Sequence, residues 1–264
     1  MPELPEMETY RSLLQPLIGG QMITGAMITR EKSINVPADQ FMQHVLNQKI
    51  IDIKRRAKYL VFQLQDGSCL LLHLMLGGKM FYGKEEDKPD RTVQVQVSFG
   101  DYHLYFIGLR LGYLHLLTPD QIREEFKDLG PEPFQLSQED FLALVKDRRG
   151  GLKSMLLNQE VIAGIGNRYS DEILWHAQLL PERKVNDLDD NQLTRLYQSV
   201  KHILMLAIQQ GGYMDPLYKG DGRTGQYEMN VHGRKGEPCP RCGTPIAEEE
   251  ISSRKTCLCT NCQH

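Results

Sequence analysis

Four cysteines near the C-terminus constrain the fold of this chain more than any other feature of its 264 residues. Cys239, Cys242, Cys259 and Cys262 follow the spacing C-x2-C-x16-C-x2-C, in which each close pair can form a tight knuckle. Thiolates in two close pairs are the ligands of tetrahedral Zn²⁺. Because this set leaves no coordination position open, it predicts one structural zinc ion in a small module that unfolds without the metal.

The strongest candidate for catalysis lies at the other end of the chain. Pro2 follows Met1 and has Glu3 and Glu6 beside it. Removal of Met1 would leave a secondary amine with a pKa of about 8, partly unprotonated at neutral pH. Attack of that amine on a carbonyl carbon, or on a sugar C1′, gives a cationic iminium that supports elimination.

A predicted helix directly follows Pro2 and would hold it against a core. Pro5 suits a first helical turn, and apolar side chains recur at helical spacing at Met7, Tyr10, Leu14 and Leu17. A disordered terminus, the ordinary state of protein N-termini, is the alternative.

Composition limits the possible partners and compartment. The net charge of −3 does not indicate a nucleic-acid binder, but only the charge on the binding face matters. Basic residues cluster in five places: 54–58, 146–153, 219–223, 234–235 and 254–255. The chain lacks an apolar run that would span a membrane and an apolar leader. We therefore expect a cytoplasmic protein, in which six cysteines favour metal over disulfides.

The hydrophobic pattern changes along the chain. Residues 22–117 favour short antiparallel strands, and Thr92–Phe99 alternates as in a half-buried strand. Gly130-Pro131-Glu132-Pro133 is typical of a linker. Helical spacing follows, including a long helix up to Gly211-Gly212. We predict an α+β multidomain fold divided at 1–130, 131–225 and 226–264.

Four segments carry a resemblance to a known family: Pro2-Glu3-Leu4-Pro5-Glu6, Arg55–Leu60, Gly164-Ile165-Gly166-Asn167 and the stretch from Gly233 to Gln263. In this order they resemble the formamidopyrimidine-DNA glycosylases, a family shared with endonuclease VIII. The resemblance runs the full length, and Leu4 favours the formamidopyrimidine branch. It implies an N-terminal β-sandwich with a leading helix, a helix-two-turn-helix domain and a zinc finger, with DNA in the cleft between.

The resemblance also implies a mechanism. Pro2 attacks C1′ of a damaged nucleotide and expels the base, and Glu3 serves as acid and base at the sugar. Glu6 orients the terminus. The iminium drives β- and δ-elimination, which Lys58 and Arg254 assist. The damaged base must be flipped out of the duplex for this attack.

Further residues are assigned to DNA contacts by the same resemblance. Asn167 and Arg254 would grip the phosphates that flank the lesion, and His73 and Lys153 would contact phosphate or lesion. From its place after two glycines, Asn167 is also predicted to cap the following helix. The partner is double-stranded DNA with a damaged base or an abasic site, bound by a nucleoid-associated monomer.

Two loops depart from the family pattern. The family has His-Leu-Gly-Met-Ser-Gly and Asp-Pro-Arg-Arg-Phe-Gly, where this chain has His73-Leu74-Met75-Leu76-Gly77-Gly78 and Ile107-Gly108-Leu109-Arg110-Leu111-Gly112. The residues that fill the void left by the flipped base therefore become Leu76, Leu109 and Leu111. Leucine can wedge a base step but cannot hydrogen-bond a base edge, so a weak preference for the opposite base is expected. Alternatively, Arg110 reads that base after a register shift, or the leucines are ordinary core residues.

The segment after Gly211-Gly212 differs as well. The family has Thr-Thr-Leu there, and this chain has Tyr213-Met214-Asp215-Pro216. An oxidised purine such as 8-oxoguanine is the default substrate, and other lesions stay open. The alternatives to an active glycosylase are a catalytically weak damage-binding protein, a glycosylase of shifted specificity and a zinc-dependent hydrolase. The closed cysteine set argues against the hydrolase.

Overall fold

The computed structural model describes residues 1–264, which form two compact units. The first unit comprises residues 1–127 and 214–226, and the second comprises residues 128–213 and 227–264. The three-domain division stays a prediction. No helix of the chain combines the length and the apolar character needed to cross a bilayer.

The first unit is a β-sandwich preceded by a helix. Its elements are α1 (Leu4–Ile18), β1 (Gly25–Ile28), α2 (Ala38–Val45), β2 (Ile50–Arg56), β3 (Tyr59–Leu64), β4 (Cys69–His73), β5 (Lys79–Gly83), β6 (Val93–Phe99), β7 (Tyr102–Ile107), β8 (Tyr113–Leu117) and α3 (Pro119–Glu125). The strands form two antiparallel sheets, in the orders β1-β6-β7-β5 and β2-β3-β4-β8.

One apolar core joins both sheets to α1. Phe62 and Leu72 come from one sheet, Val95 and Phe106 from the other, and Leu14 from the helix. Burial of apolar surface on this scale is the main force that orders a domain. The predicted sandwich with its leading helix is confirmed.

The predicted alternation of burial in β6 is wrong. Gln94 and Gln96 are buried along with Val93, Val95 and Val97. The Gln94 side chain is covered by the β7–β8 loop, where its Oε1 accepts a hydrogen bond from the Leu109 amide at 3.1 Å. Gln94, on the polar face of this strand, therefore packs against a loop of the protein.

The second unit is helical and ends in a β-hairpin. Its elements are α4 (Gln138–Val145), α5 (Leu152–Leu157), α6 (Asn167–Ala177), α7 (Asp190–Gln209), β9 (Ala247–Ile251) and β10 (Arg254–Leu258). Ser137 caps α4 by accepting the Asp140 amide at 3.0 Å. The long helix α7 ends before Gly211 and Gly212, whose φ angles of 71° and 68° are in the left-handed region that favours glycine. The predicted helical domain and zinc finger are confirmed.

Candidate active site and zinc centre

The N-terminal segment is anchored by a capping box at the start of α1. Glu3 is the N-cap residue, and the Glu6 carboxylate accepts the Glu3 amide at 2.7 Å. The side chains of Glu3 and Glu6 are buried, and Pro2 is half-buried. Pro2 therefore lies just before the N-terminus of α1, at the positive end of the helix dipole.

Lys58 lies in the two-residue turn between β2 and β3. Arg56 pairs with Tyr59 across this hairpin, which leaves Ala57 and Lys58 as the turn. Ala57 has a φ of 51°, a left-handed conformation that costs roughly 1–2 kcal/mol for a residue with a Cβ. Both residues are buried, so the surrounding structure holds this turn in one conformation.

Two contacts show that α1 and the β2–β3 hairpin present their functional residues at the same end of the first unit. Gln15 Oε1 accepts the Ile53 amide at 2.9 Å, and Glu8 Oε2 accepts from Arg55 Nε at 2.8 Å. The step from Gln15 to Glu8 leads towards the helix N-terminus, while the step from Ile53 to Arg55 leads towards the turn. The two elements are therefore antiparallel, with Pro2, Glu3 and Lys58 at one end.

His73 lies beside Lys58 in the neighbouring strand. It is the register partner of Tyr59, and the two rings are 4.2 Å apart. Burial, and then the charge of Lys58, lower the pKa of His73 to about 4. His73 Nε2 is buried without a hydrogen-bond partner. His73 is therefore neutral at physiological pH, and it can act as a hydrogen-bond donor but not as a cation.

The two loops that depart from the family pattern pack against each other. A Cβ on Gly108 would lie 2.2 Å from the carbonyl oxygen of Gly77, so only glycine permits this approach. Leu76 is 67% exposed and Leu111 is 60% exposed. Large apolar side chains with this exposure, on loops held backbone to backbone, are suited to insertion between bases.

Leu109 does not belong to this exposed set, and its predicted DNA contact is wrong. Its side chain is fully buried, and its carbonyl oxygen accepts from Ser33 Oγ at 3.1 Å. An apolar side chain at this position is drawn into the sandwich core, where it packs with the other buried residues. Arg110 is exposed instead, as the register-shift alternative requires.

In the second unit, Asn167 and the β9–β10 hairpin lie together. Asn167 Nδ2 donates to the carbonyl oxygen of Lys255 at 2.9 Å, and Asn167 Oδ1 is buried without a partner. Gly166 is the N-cap residue of α6, so the prediction that Asn167 caps this helix is wrong. Arg254 follows a turn in which Ser252 and Ser253 have φ angles of 53° and 57°, and it is exposed.

Lys153 is not at the surface, which corrects its assignment to a phosphate or lesion contact. Its side chain is fully buried, and its Nζ lies 2.5 Å from Asp171 Oδ1 and 2.7 Å from Thr256 Oγ1. A buried ammonium requires such compensation. Lys153 therefore joins α5, α6 and β10 inside the unit.

The four predicted zinc ligands form one cluster. All four sulfur atoms of Cys239, Cys242, Cys259 and Cys262 lie within 4.8 Å of one another. Burial, and then hydrogen bonds with the neighbouring cysteines, raise the pKa of Cys262 to about 12. The donor set fits one tetrahedral Zn²⁺, and the predicted structural zinc is confirmed. Trp175 Nε1 donates to Cys239 Sγ at 3.4 Å.

Two features of the second unit are not predicted by the sequence patterns. The Arg168 guanidinium lies over the ring of Tyr213 at 5.3 Å, next to Asn167. The buried Glu172 carboxylate accepts the amides of Asn230, Val231 and His232 at 2.8–3.0 Å, which ties α6 to the segment that leads into the zinc module. Asp171 and Glu172 are consecutive acidic residues in α6, and such residues usually face solvent. Only the neighbouring apolar side chains of Ile173 and Trp175 indicated that this part of the helix is buried.

Comparison with known proteins agrees with this architecture over the full chain. Residues 1–113 match the formamidopyrimidine-DNA glycosylase N-terminal domain, residues 129–215 the formamidopyrimidine-DNA glycosylase H2TH domain, and residues 236–264 the zinc finger found in FPG and IleRS. Formamidopyrimidine-DNA glycosylases of Pelotomaculum thermopropionicum and Listeria innocua are 35% and 34% identical, over 100% of this chain and 99% and 100% of theirs.

Solved structures show the same similarity. A complex between a Lactococcus lactis FPG mutant and a Fapy-dG containing DNA matches with a TM-score of 0.91 at 33% identity, over 99% of each chain. A complex of the Lactococcus lactis Fpg with an abasic site containing DNA also has a TM-score of 0.91. The sandwich, the H2TH helices and the cysteine cluster together define the architecture of a zinc-finger DNA glycosylase. This chain belongs to the formamidopyrimidine-DNA glycosylase family.

Proposed function

We propose that this protein is a bifunctional DNA glycosylase and AP lyase of base excision repair. Its substrate is double-stranded DNA that contains a damaged base or an abasic site, as in the complexes of the Lactococcus lactis relative. The observation that carries the proposal is the arrangement at one end of the first unit. There a capping box anchors Pro2 and Glu3, and the β2–β3 turn presents Lys58.

The reaction begins at the amine of Pro2 after removal of Met1. Its lone pair forms a bond to C1′, and the N-glycosidic bond breaks with its electron pair on the departing base, which takes up a proton. Glu3, buried beside Pro2, transfers protons at the sugar and helps to open its ring. The product is an iminium between Pro2 and C1′, with the sugar ring open.

The iminium then serves as the electron sink for strand cleavage. Removal of a proton from C2′ expels the 3′ phosphate, and a second elimination expels the 5′ phosphate. Lys58 supplies a positive charge for the phosphates at this end of the unit. Hydrolysis of the iminium would return the free amine of Pro2.

Residues of both units would bind the DNA. We assign backbone phosphate contacts to Arg254, which is exposed, and to Asn167, whose Nδ2 is the donor that such a contact requires and lies against the hairpin that carries Arg254. His73, as a neutral imidazole, would donate a hydrogen bond to a phosphate or to the lesion. Leu76 and Leu111 would fill the void left by the extruded base, and Arg110 is the remaining candidate to read the opposite base.

The finer assignments follow from family membership. We take an oxidised or ring-opened purine as the default lesion. We also propose that the protein acts as a monomer at the bacterial nucleoid in the cytoplasm, and that its chain divides into domains at 1–130, 131–225 and 226–264.

Borohydride trapping tests the proposal. The purified protein is incubated with two labelled duplexes, one abasic and one with 8-oxoguanine opposite cytosine, and a Pro2→Gly variant serves as control. Covalent adducts on both duplexes that are reduced in the variant support the full proposal. An adduct on the abasic duplex alone retains the lyase and rejects the default lesion.

A second candidate function is damage recognition without efficient cleavage. The burial of Leu109 favours it, because this chain lacks a polar reader at that position. The absence of an adduct on either duplex, with tight binding to the abasic one, would establish this function if mass spectrometry shows that Met1 has been removed.

A further inference from the structure

We propose that Glu8 and Arg55 form a positioning pair that holds the Lys58 turn in register with the catalytic end of α1. This inference rests on the proposed function, since it concerns the placement of Lys58 relative to Pro2 and Glu3. Neither Glu8 nor Arg55 is assigned contact with DNA or with the reacting atoms.

Arg55 makes two directed contacts with different elements. Its Nε donates to Glu8 Oε2 on α1 at 2.8 Å, and its Nη1 donates to the carbonyl oxygen of Ala57 in the turn at 3.2 Å. The guanidinium is planar and rigid, so these two bonds fix the turn relative to the helix. Lysine could not reproduce both contacts with one ammonium in the same plane.

The pair is shielded from solvent more than an ordinary surface ion pair. Arg55 is 10% exposed and Glu8 is 22% exposed. Exposed pairs contribute little because water competes for both partners, whereas partly buried charge-assisted hydrogen bonds are shorter and stronger. The contact is therefore able to hold a strained element in place.

The β2–β3 turn that Arg55 contacts has a strained backbone. Ala57, at a φ of 51°, is followed directly by Lys58. Loss of the hydrogen bond from Arg55 to the carbonyl oxygen of Ala57 weakens the restraint on this strained turn, so the turn can relax towards an unstrained conformation and carry Lys58 with it. A displacement of about 1 Å in a catalytic group can cost on the order of 100-fold in rate.

Arg11 provides a matched control. Its Nε donates to Glu8 Oε1 at 2.7 Å, one turn along the same helix. Arg11 thus shares the carboxylate of Glu8 but has no part in the hairpin contact. Replacement of Arg11 removes an arginine from Glu8 and leaves the link between α1 and the turn in place.

The experiment measures single-turnover strand cleavage of an abasic duplex and the Kd for that duplex. It compares the wild type with Arg55→Gln, Arg11→Gln and the double variant Arg55→Gln/Ala57→Gly. We expect cleavage to slow by about 10- to 100-fold in Arg55→Gln with little change in Kd, and to remain at the wild-type rate in Arg11→Gln. Glycine adopts a positive φ without strain, so the double variant should recover part of the rate.

Three results would overturn the positioning role. Arg55→Gln could cleave at the wild-type rate. Arg11→Gln could be equally slow, which would indicate a general charge effect at Glu8. The loss of rate in Arg55→Gln could also be fully explained by a smaller fraction of folded protein, as measured by circular dichroism, while the double variant recovers no activity. A wild-type protein that forms no borohydride adduct would instead refute the proposed function.

Discussion

The Lys153 ammonium lies 2.5 Å from the Asp171 carboxylate, and both side chains are completely buried. Asp171 Oδ2 also contacts His232 Nδ1 at 2.7 Å and accepts the Cys257 amide at 3.1 Å. The pair thereby connects α5 and α6 to β10, the strand that begins at Arg254. Its partners are His232, which precedes the zinc module, and Thr256 and Cys257 in the hairpin of that module, so the pair orders the hairpin as well as the helices.

Removal of one member of this pair should be strongly destabilising. Lys153→Met leaves the Asp171 carboxylate buried without its cation, and such uncompensated charges cost about 3–5 kcal/mol. Urea denaturation followed by circular dichroism measures the loss. The double variant Lys153→Met/Asp171→Leu should be more stable than Lys153→Met alone, because it removes both charges. A loss below about 1 kcal/mol in the single variant, as for a surface ion pair, would contradict the buried placement.

Local sequence patterns were sufficient to predict the elements and the metal ligands. The helical spacing after Pro5 corresponds to α1, and the two cysteine pairs form one cluster. Both depend on residues close together in sequence, where spacing determines which side chains share a face or a metal.

Predictions failed where tertiary packing decides the environment of a side chain. Lys153 was assigned to DNA by the family resemblance, but it is buried against Asp171, which is 18 residues away in the chain. Leu109 was aligned to an exposed position, but the Gln94 side chain fixes its amide in the core. Neither partner can be identified from the sequence around the residue itself.

His73 should make the folded protein less stable as the pH falls below neutrality. Its pKa is about 4 in the folded protein and about 6.5 in an unfolded chain. Between these values the unfolded state binds more protons, so the stability from the neutral imidazole is full above about pH 6.5 and decreases as the pH falls towards 4. The folded pKas of His115 and His176 are also lowered, mainly by burial, so the wild type alone does not isolate His73.

The comparison that isolates it is between the wild type and His73→Gln. The free energy of unfolding is measured by urea denaturation at intervals from pH 4.5 to pH 7.5. The difference between the two proteins should change with pH in this window, in the direction that favours the wild type at the higher pH. A constant difference would mean that His73 titrates alike in the folded and unfolded states.

Removal of zinc should unfold the cysteine module, and the fluorescence of Trp175 can be used to follow this unfolding. Trp175 is the only tryptophan of the chain, and its indole nitrogen donates to Cys239 Sγ. A chelator should therefore shift the emission of Trp175 towards that of an exposed indole, and added Zn²⁺ should reverse the shift.

Two cysteine variants test which cysteines bind the zinc ion. Cys262→Ser removes one of the four ligands and should lower zinc content and shift the emission without chelator. Cys257→Ser should retain zinc, because the Cys257 sulfur accepts the Gly233 amide at 3.3 Å and is not one of the four clustered ligands. Loss of zinc in Cys257→Ser, measured by metal analysis, would show that the ligand set is wrong.

The burial of Leu109 predicts a weak preference for the base opposite the lesion. A bidentate contact to a base edge contributes about 1–3 kcal/mol of discrimination, or roughly 5- to 150-fold, and a buried leucine supplies none. Excision rates of 8-oxoguanine paired with each of the four bases should therefore differ by less than about fivefold, the lower limit of one such contact. The Arg110→Ala variant tests whether any remaining preference for the opposite base depends on Arg110. A cytosine preference that disappears in this variant would identify the exposed Arg110 as the reader, in keeping with the register shift. A strong preference that persists in Arg110→Ala would contradict the prediction, because the structure offers no other polar side chain between Leu109 and Leu111.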